Sequence, residues 1–305
     1  TDSERAGKAL RHLVEGTARA TGEAFFRALT LHLAQATGLS HAMVAELLSD
    51  GRHVRALAYW SGTEFRQGMT YLLEDAPCRQ VIERGEACFP DGVAERFPRD
   101  LALAMNGIRG YLGVRLESGE GAPLGVLVVM DRAPIRKRAQ VAPLVRIFAA
   151  RAAAELERSR AEDARRAALE RFEAIFQNTP NVAIQGFDRR GTVMHWNRAS
   201  EKLYGIPAAE ALGRPLQELL FGTADAARAF EAAVEAICAG GKPSEPAEWP
   251  IRLRDGREIR TLSTMFPVFS DGALVEVFCM DVDITELKRA HEAVNRLNVE
   301  LEARV

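Results

Sequence analysis

Thiols and imidazoles are the side chains here whose types suit nucleophilic, redox or metal chemistry. The 305 residues contain four cysteines, Cys78, Cys88, Cys238 and Cys279, and six histidines. No two cysteines form a C-x-x-C pair, and no histidine stands at zinc-ligand spacing. Reduced thiols of a cytosolic protein are the simple reading. Cys78 and Cys88 could support thiol chemistry, but a lowered pKa would be needed and no neighbour guarantees one. Aromatic and polar residues offer a different chemistry, that of a small-molecule pocket. Tyr59, Phe65, Tyr71, Cys78 and Phe89 flank or fill a Gly- and Pro-rich stretch, 62–109. His195, Asn197, Tyr204, Trp249, Arg252, Met265 and Cys279 form a second group of candidates on or beside strand-like segments. Alternation puts His195 and Asn197 on one strand face and Met194 and Trp196 on the other.

The elements that must position these residues read as two halves. Length alone is a prior for two ordinary domains. Composition is 47% hydrophobic and 27% charged, as in soluble globular proteins. The formal net charge of -2 gives no basic footprint for nucleic acid or for an anionic membrane surface. The longest apolar run, LGVLVVM at 124–130, suits a buried strand and is far too short to span a bilayer. The chain starts without Met and stops inside a charged helical pattern, which reads as a piece of something longer.

Helical spacing runs over 6–36, through Leu10, Leu13 and Val14, then Phe25, Phe26, Leu29 and Leu33. Thr21 is a start signal and Gly38 a stop. HAMVAELLS and VRALAYWS flank the turn DGR and predict a hairpin, and GYLGVRLES with PLGVLVVMDR predicts a second. The stretch between the hairpins is irregular, with helical pieces near 78–84 and 99–106. A long helix begins near Val141, carries Leu144, Phe148, Ala152 and Leu156 on one stripe, and stops before Pro180. A helix of about thirty residues would span roughly 45 Å at 1.5 Å per residue, which predicts a connector. Beyond it come two strands, short helical pieces, a longer helix at 224–239 ended by Gly240-Gly241, and a three-strand meander. A last helix starts near Thr285.

These residues carry a family resemblance. NVAIQGFDRRGTVMHWNRASEKLYGIPAAEALGRP, WPIRLRDGREIRTLSTMFPV and VFCMDVDITELKRA, in that order, resemble a PAS domain over about 168–290. The first half resembles a GAF domain over about 8–160, through YLGVRL, PLGVLVVMD and IFAARAAAELER. The resemblance implies an α+β fold of two domains, GAF-like then PAS-like, each a central antiparallel sheet flanked by helices, joined by a long helix. The expected boundaries are 1–160 for the first domain, 161–179 for the rest of the connector, 180–284 for the second domain and 285–305 for the start of an output coiled coil. Both families are mostly sensory, dimerising modules. In PAS-like folds the small helices close a pocket over one sheet face, and Asn197 would tie the strand end to that helical wall. A GAF pocket would lie under the irregular stretch.

The resemblance also weighs cofactors. A PAS haem usually takes its axial histidine from the long helix, and ADAARAFEAAVEAICAGG has none, so haem is not expected. Bilin attachment would be marked by a Cys-His pair, which neither Cys78-Arg79 nor Cys88-Phe89 supplies. The cyclic-nucleotide signature of some GAF domains and the cysteine motif of light-sensing PAS domains are also missing. Flavin is compatible with Trp249 and Asn197, and the cofactor stays open. His291-Glu292 resembles a kinase phosphoacceptor box but lacks the Arg-Thr-Pro that normally follows.

For signal exit, MDVDIT puts Asp281 and Asp283 at the end of the last strand, where Asp283 or Thr285 can cap the final helix. Leu287, Ala290, Val294, Leu297 and Leu301 then follow heptad spacing and predict a homodimer seam. The expected protein is a cytoplasmic, non-enzymatic sensory fragment. It would bind a small ligand and relay a change to an output domain, a histidine kinase or a cyclic-di-GMP synthase or hydrolase. Neither nucleic-acid binding nor membrane insertion is expected. The alternatives are a ligand-free dimerisation scaffold and, more remotely, a thiol-based methionine sulfoxide reductase.

Overall fold

The computed structural model describes residues 20–66 and 68–302, so Leu10, Leu13 and Val14 lie outside the described residues. The chain divides into two compact units between Arg166 and Ala167. Each is built on an antiparallel sheet flanked by helices, and a long helix joins them, as the α+β reading expects.

In the first unit, helix α1 (Gly22–Thr37) buries Phe25, Phe26, Leu29 and Leu33, the residues its spacing placed on one face. It ends at Gly38, whose φ of 69° closes the helix through a bond from its N–H to the Ala34 carbonyl. Thr21 is extended but makes no side-chain cap; Glu155 accepts the Gly22 N–H instead, at 2.7 Å. The strands are β1 (His41–Leu47), β2 (His53–Trp60), β3 (Phe65–Arg66), β4 (Thr70–Leu72), β5 (Glu86–Phe89), β6 (Gly110–Glu117) and β7 (Pro123–Asp131). Their order is β3-β2-β1-β7-β6-β5, with β4 also on β2. The sheet thus has seven strands, because the irregular stretch contributes β3, β4 and β5 by pairing with the hairpins. Between them lie helices α2 (Cys78–Arg84), α3 (Val93–Arg96) and α4 (Leu101–Met105).

Both faces of this sheet are covered. Ala42, Val44, Leu127 and Val129 pack with α1 and the first part of helix α5 (Arg138–Asn178). Met43, Tyr59, Tyr111, Val128 and Met130 pack under α2 to α4 on the other side. Gly125 is required where β7 runs beside β1: a Cβ there would stand 2.1 Å from the Ala45 carbonyl oxygen.

Helix α5 starts three residues before the expected Val141, with Pro143 inside it, and runs unbroken to Asn178. Val145, Phe148, Ala152 and Leu156 are buried, while Leu144 is only half-buried. Every residue from 161 to 175 is exposed, as suits a connector.

The second unit has strands β8 (Val182–Phe187), β9 (Val193–Trp196), β10 (Ala247–Arg252), β11 (Glu258–Ser270) and β12 (Ala273–Asp283), in the order β10-β11-β12-β8-β9. Helices α6 (Arg198–Tyr204), α7 (Ala208–Ala211), α8 (Leu216–Leu220) and α9 (Ala224–Gly240) enclose the core with one face of the sheet. Phe176, at the end of α5, lies on the other face with Ile184 and Phe278. Strand β9 corrects the simple alternation. A bulge opposite Gly186/Phe187 lets Val193 and Trp196 both face the core and leaves Met194 exposed. Helix α10 (Thr285–Glu302) follows β12 and buries none of its residues.

Candidate functional site

The first unit contains a cavity of about 270 Å³ between its sheet and the short helices. Met43, Tyr59, Tyr111 and Met130 supply the floor from β1, β2, β6 and β7. Met69, Thr70 and Tyr71 supply one wall, and Cys78, Asp100, Leu103 and Ile108 the rest. The Cys78 Sγ lies 3.3 Å from both the Tyr71 and Tyr111 hydroxyls. Burial pushes the Cys78 thiol up and the Tyr71 and Tyr111 phenols well up. All three therefore stay neutral at physiological pH. Asp100 is raised by the same cause, and the Leu103 and Ala102 N–H groups pull it back only in part. Size, apolar walls and a few convergent polar groups are the properties of small-molecule sites.

Of the residues singled out by sequence for this region, Tyr59, Tyr71 and Cys78 come together on the cavity wall. Phe89 packs behind it against Tyr111 and Phe97, with ring centroids at 6.0 and 5.2 Å. Phe65 does not belong there. It lies against Trp60 and under the Arg27 guanidinium, because β3 pairs with the end of β2. Sequence reasoning missed Met43, Asp100, Tyr111 and Met130. The thiol alternative loses its geometric basis. Cys78 belongs to the cavity side, whereas Cys88 packs with the cluster on the opposite sheet face. Burial also raises Cys88, so neither thiol is a poised thiolate.

Between the sheet and helices of the second unit the space is smaller. Trp249, Met265, Cys279 and Asp281 meet around a space of about 20 Å³, enough for one water molecule. Tyr204 joins them through its hydroxyl, which donates to Asp281 Oδ2 at 2.6 Å. The Cys279 thiol donates to Asp281 Oδ1 at 3.2 Å. Two expected pocket residues lie elsewhere. His195 stacks on Phe278, 5.4 Å between centroids, with Nε2 3.2 Å from Glu276, on the face away from the helices. Arg252 is exposed on β10. Alternation along β9 explains the first, since Trp196 takes the core-facing position beside it.

Asn197 ties this unit together from a fully buried position. Its Oδ1 accepts the N–H groups of Ile184 (3.0 Å) and Ser200 (2.8 Å). Its Nδ2 donates to the carbonyls of Phe176 (3.1 Å) and Val182 (3.0 Å). One amide thus joins the end of α5, strand β8 and the start of α6. At the same end of the sheet, where Val282 of β12 pairs with Val182 of β8, Asp283 accepts the N–H of Thr285 at 2.8 Å, and the Thr285 hydroxyl accepts from the Arg260 N–H at 2.9 Å.

The Asp281 carboxyl gives a measurable consequence. Burial raises its pKa above the usual 3.8, although Ser263, Tyr204 and Cys279 donate to it. The folded chain therefore holds this proton more tightly than the unfolded chain. Its contribution is favourable at low pH and is lost as pH rises through the folded pKa. Asp281→Asn keeps an acceptor for Tyr204 and removes the titration. The variant should gain stability over the parent as pH rises from about 4 to about 8, measured by urea midpoints. A pH-independent difference would mean that Asp281 is not a buried titrating group.

Comparison with known proteins agrees with this architecture. Residues 21–156 match the GAF domain family and residues 176–289 the PAS fold family. Among solved structures, the PAS domain of an HTR-like protein from Haloarcula marismortui is 22% identical, with a TM-score of 0.34, covering 41% of this chain and 99% of that one. The GAF domain of an Acinetobacter phosphoenolpyruvate-protein phosphotransferase is 15% identical, with a TM-score of 0.42, covering 52% and 96%. The E. coli DhaR(N)-DhaL complex is 14% identical, with a TM-score of 0.41, covering 92% and 86%. The comparison with curated proteins gives no match. GAF and PAS folds are sensory domains typical of signal-transduction proteins, and this chain carries one of each, a GAF domain followed by a PAS fold.

Proposed function

We propose that the chain is the ligand-sensing and relay region of a signalling protein. The GAF cavity takes a small molecule, and the PAS unit passes a conformational change through β12 and α10 to an output domain. The observation that carries this reading is the 270 Å³ cavity, walled by aromatic and thioether side chains with a single carboxylate among them. The output would be a histidine kinase or an enzyme of cyclic-di-GMP metabolism, acting in the cytoplasm as a homodimer. No helix among the described residues is long and apolar enough to cross a membrane. For the PAS half, a space of about 20 Å³ favours the second reading, a ligand-free module that transmits and dimerises. Asp281 and Cys279 in the core, and Asp283 and Thr285 at the helix start, would be its relay.

Leu103→Trp tests the cavity. Leu103 is buried on its wall, and the larger ring fills the space. Protein purified from cells should carry a small molecule visible by native mass spectrometry, and the Trp variant, folded by circular dichroism, should lack it. Protein that is ligand-free and unresponsive to added metabolite extracts would favour the scaffold instead.

A further inference from the structure

What the GAF cavity would take follows from the charges around it. Asp100 is the one acidic side chain on the wall, and among the described residues no Lys or Arg lines the space. It forms no ion pair among the described residues, and its neighbour Arg99 is turned to Asp75 at 3.3 Å. Asp100 is near enough to act on Tyr59, Tyr71, Cys78 and Tyr111, although burial is the larger influence on each. Two arginines, Arg66 and Arg132, are felt at Tyr59. Both are held outside by Asn106, at 3.0 and 3.1 Å, and neither reaches the wall.

The remaining lining is electron-rich. Three tyrosine rings offer π faces, and Met43, Met69 and Met130 offer sulfur lone pairs. Beside the cavity, though not on its wall, His41 adds no positive charge. His41 is fully buried beside Tyr59, with ring centroids 6.0 Å apart, on the strand face that carries Met43. The Ser40 hydroxyl donates to Asp131 Oδ1 at 3.2 Å, so its oxygen accepts from the His41 Nδ1–H at 2.8 Å. That fixes the neutral tautomer in which Nε2 is a bare acceptor. Burial keeps the ring neutral, and Nε2 has no partner. Among the described residues no Lys or Arg lines the cavity and the His41 ring is neutral, so a positive charge facing Asp100 inside it comes from the ligand.

Resting on the reading of this cavity as a ligand site, we propose that it takes a small organic cation, an alkyl- or arylammonium compound. The charged nitrogen lies against Asp100 and the tyrosine rings, and the apolar part lies among the methionines. An ammonium group desolvated there is offset by a carboxylate and by cation–π contacts, whereas an anion would meet Asp100 unscreened.

Three probes of similar shape test this on the whole chain: phenethylamine, 2-phenylethanol and 3-phenylpropanoate, titrated by calorimetry at low ionic strength. The amine should bind at least about tenfold more tightly than the alcohol, a difference of roughly 1.4 kcal/mol. The propanoate should give no heat of binding. Asp100→Asn should bring amine and alcohol to within about threefold of each other, about 0.7 kcal/mol. Leu103→Trp should abolish binding of both. Should Asp100→Asn not fold, the order of the probes on the unaltered chain decides the matter. If the alcohol or the propanoate binds as well as the amine, and Leu103→Trp abolishes it, the cation assignment is wrong while the cavity remains a ligand site. If no probe binds at millimolar concentration, both the assignment and the cavity reading fall.

Discussion

Changing Leu297 and Leu301 together to alanine is expected to turn a dimer into a monomer while both domains stay folded. Helix α10 has 18 residues and buries none of them in the single chain. Leu287, Val294, Leu297 and Leu301 are 54 to 68% exposed, and they recur at spacings of seven, three and four along one stripe. An isolated helix of this length is marginal in water, so an apolar stripe on it calls for a partner helix. A second copy supplies an identical stripe. Leu→Ala in a packed position costs about 2 to 5 kcal/mol, and the double change deletes four leucines from a dimer. The lower bound of that range sums to about 8 kcal/mol, and half of it still weakens association about 1000-fold. The domains should survive because α10 is anchored only at its start, by the Asp283–Thr285 turn and by Lys288 at 2.5 Å from Glu248. Sedimentation equilibrium of parent and variant reads the result. An unchanged dimer would place the interface elsewhere and remove the seam from the account of signal exit.

The exposed apolar stripe of α10 was legible because it depends on spacing along one helix. The same holds for α1, whose Phe25, Leu29 and Leu33 period and terminal Gly38 fix its face and its end. Hairpins were legible from turn residues between apolar runs. Strands β3, β4 and β5 were not, since two to four residues carry no period of their own. They are strands only because β2 and β6 offer free edges. The cavity lining was harder for a related reason. Strand β1 is buried at six successive positions, so alternation cannot say that Met43 faces the cavity and Val44 faces α1. Tyr111 and Met130 were lost in the same way. Asp100 was hidden because an acid before a short helix reads as an ordinary helix start. In the PAS half the error ran in the other direction. His195 looked like a pocket residue by type, but its strand neighbour Trp196 has the larger apolar area to bury and takes the core side.

Asn197 was legible by position, as the residue where strand gives way to helix, and it supports the second large effect. Asn197→Ala should destabilise the PAS unit by about 4 kcal/mol. The estimate counts two N–H groups and two carbonyls left without their amide partner, at about 1 kcal/mol each. Water cannot easily replace that partner, because Asn197 and Ser200 are both at 0% exposure. Asn197→Asp separates hydrogen bonding from size. Its carboxylate still accepts from Ile184 and Ser200 but faces the Phe176 and Val182 carbonyls without a donor. It should therefore be at least as damaging at neutral pH and recover partly in acid, where a protonated carboxyl can donate once. Native-state amide exchange gives the readout. The Ile184 and Ser200 N–H groups should lose protection in both variants, while Leu29 and Leu33 in the GAF unit keep theirs. If Ile184 and Ser200 stay protected in Asn197→Ala, the amide is not what holds α6 to the sheet. The end of α5 must then be held to the sheet by the packing of Phe176 against Ile184 and Phe278 and by the Arg198 N–H donating to Gln177 Oε1 at 3.1 Å.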